Sequence, residues 1–324
     1  MADGPHIVLA GASGTIGQAL VRQLLDQRFR VACLVRAGHE PASLPEGAAQ
    51  RPVDFSSALD LDRALAEIAP DTIISCIASR TGAPKDAWDV DHRINTRLLR
   101  AAEQSDSAKH FILLSAICVQ KPRLVFQQAK LAFEAELIAS PLDHTIVRPT
   151  AFFKSLSGQI ARVAEGKPFL VFGDGTLTRC KPISDDDLAR FICECVREPA
   201  RRGQVLPIGG PGPAITPREQ GEMLFELTGR EPAFRSVPLG LFDLAARALS
   251  LGAPVSDWFA AKAEYARIAK YYASESMLVW DSKARAYSAE ATPEYGTQTL
   301  RDHYVSALAQ RAQAPAGRRS GSAA

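Results

Sequence analysis

Over its first half the chain alternates short apolar runs with amphipathic stretches. Residues 6–10 (HIVLA), 30–35 (RVACLV), 72–78 (TIISCIA), 110–116 (HFILLSA) and 144–147 (HTIV) are apolar runs of strand length. Between them, 14–27, 58–69, 86–104 and 126–139 carry apolar residues at helical spacing; in 86–104, Ile94, Leu98, Leu99 and Ala102 share one side. Residues 50–54 (QRPVD) read as a weaker strand, which Pro52 confines to an edge or a strand start. Apolar strands without polar alternation, separated by helices, are what a parallel sheet covered on both faces requires. The pattern predicts an α/β chain built on a doubly wound parallel sheet.

After Pro149 the rhythm changes, with more Gly and Pro, longer helices and fewer strands. Ser184 followed by Asp185, Asp186 and Asp187 predicts a capped helix start whose carboxylates suit the helix dipole. Thr216-Pro217 opens another helix, and 204–208 (QVLPI) reads as a strand returning to the sheet. Helices are predicted over 239–251 and 255–272; their residues Phe242, Leu244, Leu249, Trp258, Phe259, Tyr265 and Ile268 either pack between helices or roof a pocket. The final stretch, 310–324 (QRAQAPAGRRSGSAA), has the composition of a disordered tail.

Composition narrows the partners. Thirty-eight Lys and Arg against 36 Asp and Glu leave a formal charge of +2, without the basic excess that a phosphate backbone demands, so nucleic acid is not expected. No run of 18 uncharged apolar residues predicts a transmembrane segment, and MADGPHIVLAGASG has neither the parts of a secretory signal nor the Arg- and Ser-rich look of a transit peptide. A cytoplasmic chain is expected. The cysteines (Cys33, Cys76, Cys118, Cys180, Cys193, Cys195) form no CxxC pair and the six histidines no HExxH, so no protein-bound metal is expected.

Gly11-Ala12-Ser13-Gly14-Thr15-Ile16-Gly17 follows a predicted strand and opens a predicted helix. Glycines there permit a tight turn and close approach to a pyrophosphate, and the helix start offers unpaired N–H groups and partial positive charge. This is a dinucleotide turn of a Rossmann-type sheet, spaced GxxGxxG. Enzymes that use NAD place an acid at the end of the second strand to accept from the ribose 2′-hydroxyl; here that position is Arg36, a cation suited to a 2′-phosphate. NADPH is therefore the expected cofactor, with Ser13 adding a hydroxyl. Asp54, ending the third strand, is either an adenine contact or a strand-end cap.

The glycine turn, the strand TIISCIAS and Ser115 at the end of HFILLSA together resemble the short-chain dehydrogenase/reductase superfamily, in its extended or atypical branch. That family places Tyr-xxx-Lys on the next helix; this chain has Phe126-Gln127-Gln128-Ala129-Lys130. Reducing a carbonyl builds charge on oxygen and needs a donor within reach, which Phe lacks. Reducing a carbon–carbon double bond conjugated to a ring system leaves charge that the ring can spread, and Phe suits a flat aromatic partner. The strings LLSAICVQKP, FQQAKLAFE and IVRPTAFFKS, with Gly173-Asp174-Gly175, CKPIS, ESMLV and TPEYG, are similar to the divinyl chlorophyllide a 8-vinyl-reductases over about residues 6–305. A chain lacking the plant-type N-terminal extension is expected to be of the bacterial type.

The resemblance implies NADPH-dependent reduction of an 8-vinyl group to ethyl on a chlorophyllide or protochlorophyllide, with the magnesium carried by the tetrapyrrole. It implies a nucleotide-binding domain over 1–150 with a returning segment near 180–209, and a smaller, mainly helical substrate-binding region over 151–309. It places the nicotinamide near Cys76, Ser115, Lys130, Pro149 and Thr150. Ile117, Cys118, Phe126, Phe152 and Phe153 become walls for the macrocycle, and Lys154, Arg162 and Arg179 candidates for its carboxylate. Lys130 is the best placed catalytic proton donor, with solvent, Tyr265, Tyr271 and Tyr272 as alternatives. A site peripheral to photosynthetic membranes fits such a substrate. Two other functions stay open: reduction of a different conjugated alkene, and NADP(H) sensing without catalysis.

Overall fold

A computed structural model describes residues 4–38 and 43–313. In chain order it contains β1 (His6–Ala10), α1 (Thr15–Asp26), β2 (Arg30–Arg36), β3 (Ala49–Val53), α2 (Ala58–Ile68) and β4 (Thr72–Ser75). A single turn, α3 (Pro84–Asp86), runs through a π-helical segment (Ala87–Ile94) into α4 (Asn95–Gln104), followed by β5 (His110–Leu114), α5 (Val125–Ala139) and β6 (Asp143–Pro149). Then come α6 (Phe153–Leu156), α7 (Ile160–Ala164), β7 (Phe169–Phe172), α8 (Asp185–Arg197), β8 (Gln204–Ile208), α9 (Pro217–Thr228) and β9 (Phe234–Val237). The chain closes with α10 (Gly240–Ser250), α11 (Asp257–Ser274), β10 (Val279–Asp281), β11 (Ala286–Ser288) and α12 (Leu300–Gln313).

Seven strands form one parallel sheet in the order β3-β2-β1-β4-β5-β6-β8. Side chains alternate across it with the period of two that strands impose. From β1, Ile7 and Leu9 enter a core with Leu20 and Leu24 of α1 and Leu188 and Ile192 of α8. Val8 and Ala10 face the opposite layer, where Leu61 and Leu65 of α2, Leu98 and Leu99 of α4 and Phe133 of α5 pack. Order reverses between β1 and β4, and at such a switch point the loops diverge and leave a crevice at the strands' carboxyl ends. Pro52 sits in β3 on the sheet edge, where a missing donor is tolerated.

Ser184 caps α8 by accepting from the Asp187 N–H at 3.0 Å, and Thr216 with Glu219 forms a capping box on α9. The region after Thr150 gathers a separate core around Phe153, Phe169, Phe225 and Tyr304. Two sequence expectations are corrected here. Residues 86–104 are not one helix, because their first part widens to π-helical hydrogen bonding before α4. Residues 310–313 are the last turn of α12 rather than tail; 314–324 lie outside the described residues.

Candidate functional site

At the sheet's switch point the chain leaves β1 through Gly11, whose φ of +89° is one that a side chain disfavours. A Cβ there would stand 2.7 Å from the Cys76 carbonyl carbon, so glycine lets the turn lie against the end of β4. A Cβ on Gly17 would overlap the Gly11 carbonyl oxygen and come within 2.8 Å of Ala12 Cα. Gly14 differs: it precedes α1 without a side-chain cap, and a Cβ would meet nothing nearer than the Gly11 oxygen at 3.5 Å. That open side is a cradle for an anion at the helix start. Ser13, Gly14 and Thr15 are exposed along it, whereas Ala12, Ile16 and Gly17 are buried and offer only backbone.

A cation stands at this helix start. Lys154 Nζ, from the first turn of α6, donates to Thr15 Oγ1 at 2.9 Å. Lys154, one of the resemblance's candidates for the substrate carboxylate, therefore lies at the start of α1 instead. Arg36 ends β2 in register with Val53 and is exposed, and its side chain forms no hydrogen bond or ion pair with another described residue. Next to Val53, the Asp54 carboxylate accepts from Ser56 N–H at 2.8 Å and its hydroxyl at 2.7 Å, which hold it below the usual carboxylate range. Its geometry is that of a strand-end cap standing near Arg36.

Further along the crevice, Phe126 and Lys130 lie one turn apart on α5, so both side chains face the same way. With Cys76, Ser79, Asp91 and Ser115 they line a cavity of about 360 Å³. Lys130 Nζ lies 2.9 Å from Asp91 Oδ1, and the Asp91 side chain is 1% exposed. Asp91 belongs to the π-helical segment, where the extra residue per turn re-aims side chains. Asn95 fixes that segment: its Nδ2 donates to the Asp91 carbonyl at 3.0 Å and its Oδ1 accepts from Ser75 Oγ at 2.5 Å. Asp91 Oδ2 is buried and has no hydrogen-bond partner among the described residues.

Ser115 lines the cavity, but its hydroxyl donates to Glu134, which also takes the Arg148 guanidinium. The serine is committed to a buried network that braces β5 against β6. Below α5, Gln127 accepts from Arg123 N–H at 2.7 Å and donates to the Cys118 carbonyl at 2.9 Å. Glu264 of α11 accepts from Val125 N–H at 3.1 Å, putting a buried carboxylate at the positive end of α5. The Glu264 bond fastens α11 to the start of α5.

A second cavity of about 490 Å³ adjoins the first and shares Ala116, Phe152 and Tyr272 with it. Ile117, Cys118, Ala151, Leu156, Ile215 and Met277 give it apolar walls; Pro149, Thr150, Arg179, Gln220 and Glu275 are also in its lining. Arg179 donates to the Ala214 carbonyl at 3.1 Å. Burial opposes ionisation of Glu275, yet hydrogen bonds from Lys121 and Tyr287 hold it below its ordinary range. The thiols lining the two cavities are not activated: burial pushes Cys76 and Cys180 up to about 12 and raises Cys118 as well.

Several residues singled out in the sequence lie elsewhere. Phe153 does not wall either cavity: the backbone turns into α6 after Phe152, and the Phe153 ring packs on His303 in the C-terminal core. Arg162 donates to the Pro168 carbonyl at 2.6 Å and serves the α7–β7 turn. Of the roof residues, Tyr265 and Ile268 line the smaller cavity, Phe242 packs on Phe172, and Leu244 and Trp258 are largely exposed. Asp91 and the place of Lys154 escaped the sequence reading, since one depends on π-helical register and the other on a contact across 139 positions. Among the described residues no group of His, Cys, Asp and Glu could hold a metal, and no helix is long and apolar enough to cross a membrane.

Known proteins share this arrangement. A family model described as NAD(P)H-binding matches residues 11–199. A nucleoside-diphosphate-sugar epimerase from Staphylococcus aureus superposes with a TM-score of 0.67 at 18% identity, covering 93% of this chain and 99% of its own, which establishes the fold. The chloroplastic divinyl chlorophyllide a 8-vinyl-reductase of Cucumis sativus is 45% identical over 321 residues, 94% of this chain and 76% of the relative. The protein of the same name from Arabidopsis thaliana is 43% identical over 320 residues, with the same coverage. With its NAD(P)H-binding turn and its similarity over nearly the full described length, the chain belongs to the divinyl chlorophyllide a 8-vinyl-reductase family.

Proposed function

We propose that this chain reduces the 8-vinyl group of divinyl chlorophyllide a, or of its protochlorophyllide precursor, to ethyl with NADPH. The observation that carries the reading is Phe126 where related reductases hold a phenol, set beside an ion-paired Lys130 and opening on a second, apolar cavity. A site without that phenol suits a double bond whose charge the substrate disperses, and two adjoining apolar cavities suit a broad flat pigment. The relatives at 43–45% identity bear that reductase's name.

The residues present fit NADPH. Gly11, Ala12, Ser13, Gly14, Thr15, Ile16 and Gly17 cradle the pyrophosphate, Lys154 adds its charge there, and Arg36 takes the 2′-phosphate with Asp54 at the adenine. Cys76, Ser115, Lys130, Pro149 and Thr150 frame the nicotinamide end. When bound, NADPH supplies the hydride. Lys130, held by Asp91, acts as the catalytic cation: it fixes the ribose and keeps positive potential where charge develops. Phe126, Ile117, Cys118 and Phe152 hold the macrocycle, and Arg179 meets its carboxylate. The magnesium stays on the pigment.

Most residues lining the larger cavity come from the region after Thr150. Leu251 and Val255, 86% and 84% exposed, end the α10–α11 hairpin whose other end walls the cavity. This supports a chain that meets membranes peripherally, and sedimentation with lipid vesicles should lose its signal in Leu251→Ser/Val255→Ser. The function itself is tested by chromatography of pigment incubated with protein and NADPH. Conversion of vinyl to ethyl is expected; NADPH binding with unchanged pigment would instead favour a sensing role.

A further inference from the structure

The vinyl-reductase reading leaves one proton without a source. Hydride added to the terminal vinyl carbon makes a methyl group and leaves an electron pair on the inner carbon, spread into the macrocycle. A proton forming a C–H bond at that inner carbon completes the ethyl group. The donor must reach the place where the pigment meets the nicotinamide, which is the seam between the two cavities.

The structure separates the available donors. Lys130 lines only the smaller cavity, and giving up its proton would strand the Asp91 carboxylate, buried and unpaired. Tyr271 lines neither cavity; its hydroxyl donates to the Cys118 carbonyl at 2.9 Å and to that of Lys121 at 3.3 Å. Tyr265 is half exposed and lines only the smaller cavity. Tyr272 belongs to the wall of both, at the seam with Ala116 and Phe152. Its hydroxyl meets Cys118 Sγ at 3.8 Å, a weak acceptor that leaves the O–H able to turn toward a better one.

We propose that Tyr272, carried on α11 of the C-terminal region, is the proton donor, supplying from the opposite wall the phenol that α5 lacks. The Tyr272 O–H bond breaks as the C–H bond forms, the cofactor having given up its hydride as the oxidised partner. The resulting tyrosinate recovers a proton from water on the open side of the residue, which is 46% exposed as a whole. Burial of the hydroxyl end, with Cys118 beside it, raises its pKa well above the ordinary phenol value, so the group is protonated when the substrate arrives. Transfer toward carbon requires the delocalised carbanion to be a stronger base than the tyrosinate left behind.

The test compares wild type and Tyr272→Phe in single turnovers with NADPH and divinyl chlorophyllide in H2O and D2O, with NADPH affinity measured separately by fluorescence. Tyr272→Phe should keep NADPH affinity and slow ethyl formation by about 100-fold or more, the range of a lost general acid. The wild type should show a solvent isotope effect on ethyl formation, and with proton transfer then limiting the variant should keep one at least as large. A fluorinated tyrosine at position 272 keeps the packing and should shift the alkaline limb of kcat downward with the phenol pKa. Turnover of Tyr272→Phe within about threefold of wild type, a general acid normally being worth far more, or an unmoved pH profile in the fluorinated protein, overturns the assignment. If wild type binds NADPH and leaves the vinyl group intact, the vinyl-reductase reading fails with it; if wild type alone reduces the pigment, both stand.

Discussion

Three cations divide the long crevice by chemistry. Arg36 ends β2, Lys154 reaches the start of α1, and Lys130 is locked to Asp91 at the reacting end. A charged hydrogen bond to a phosphate is worth about 1.5–3 kcal/mol. Arg36→Ala should therefore weaken NADPH by about tenfold or more while leaving NADH almost unchanged, whereas Lys154→Ala should weaken both, since pyrophosphate is common to them. Fluorescence titration of each variant with both nucleotides checks this, and equal losses for the two nucleotides in Arg36→Ala would contradict a 2′-phosphate role. Arg36 was legible in the sequence because its position follows from one strand end. Lys154 was not: the resemblance made it a candidate for the pigment carboxylate, and only the entry into α6 turns it back to Thr15. Asp91 was hidden for a related reason, because regular helical spacing does not predict where a π-helical turn points a side chain.

At the scale of elements the glycine turn separates folding from binding. Alanine at Gly17 would overlap the Gly11 carbonyl, and overpacking of this kind costs about 1–3 kcal/mol. Gly17→Ala should lower the thermal midpoint with or without cofactor. Gly14→Ala has room and an extended backbone at φ −73°, so its apo midpoint should stay close to wild type while the stabilisation by added NADPH shrinks. Paired melts of both variants decide; similar apo losses in the two would refute the distinction. The sheet strands and the helices covering them were readable because apolar runs and caps carry them. The short pairs β7–β9 and β10–β11 were not, being three- and four-residue pieces whose pairing is settled by packing after Thr150.

The whole molecule carries its own pH dependence. His110 in β5 is fully buried, with Nε2 at 2.9 Å from Thr145 Oγ1 and Nδ1 unpartnered among the described residues; burial depresses its pKa to about 4. His6, His144 and His303 are lowered as well, each chiefly by burial. An unfolded histidine takes up its proton near pH 6.5, before these do, so the folded state binds fewer protons in between. Stability is complete above that pH and falls as pH drops from about 6.5 toward about 4. For His110 alone the loss is on the order of 3 kcal/mol. Urea midpoints between pH 7 and 4.5 should fall accordingly, and His110→Gln should flatten the curve; an unchanged slope would show that His110 does not titrate in this window.

At this scale too, apolar composition gave the core but not the two adjoining cavities, which share a wall from α11, an element bonded to the start of α5 through Glu264. The central claim is that this crevice reduces a vinyl group on a chlorin. It is tested most directly by mixing the protein with NADPH and divinyl chlorophyllide a and following the Soret band. A blue shift that requires both NADPH and protein is predicted; an unmoved band, with folded protein that binds NADPH, would contradict the account.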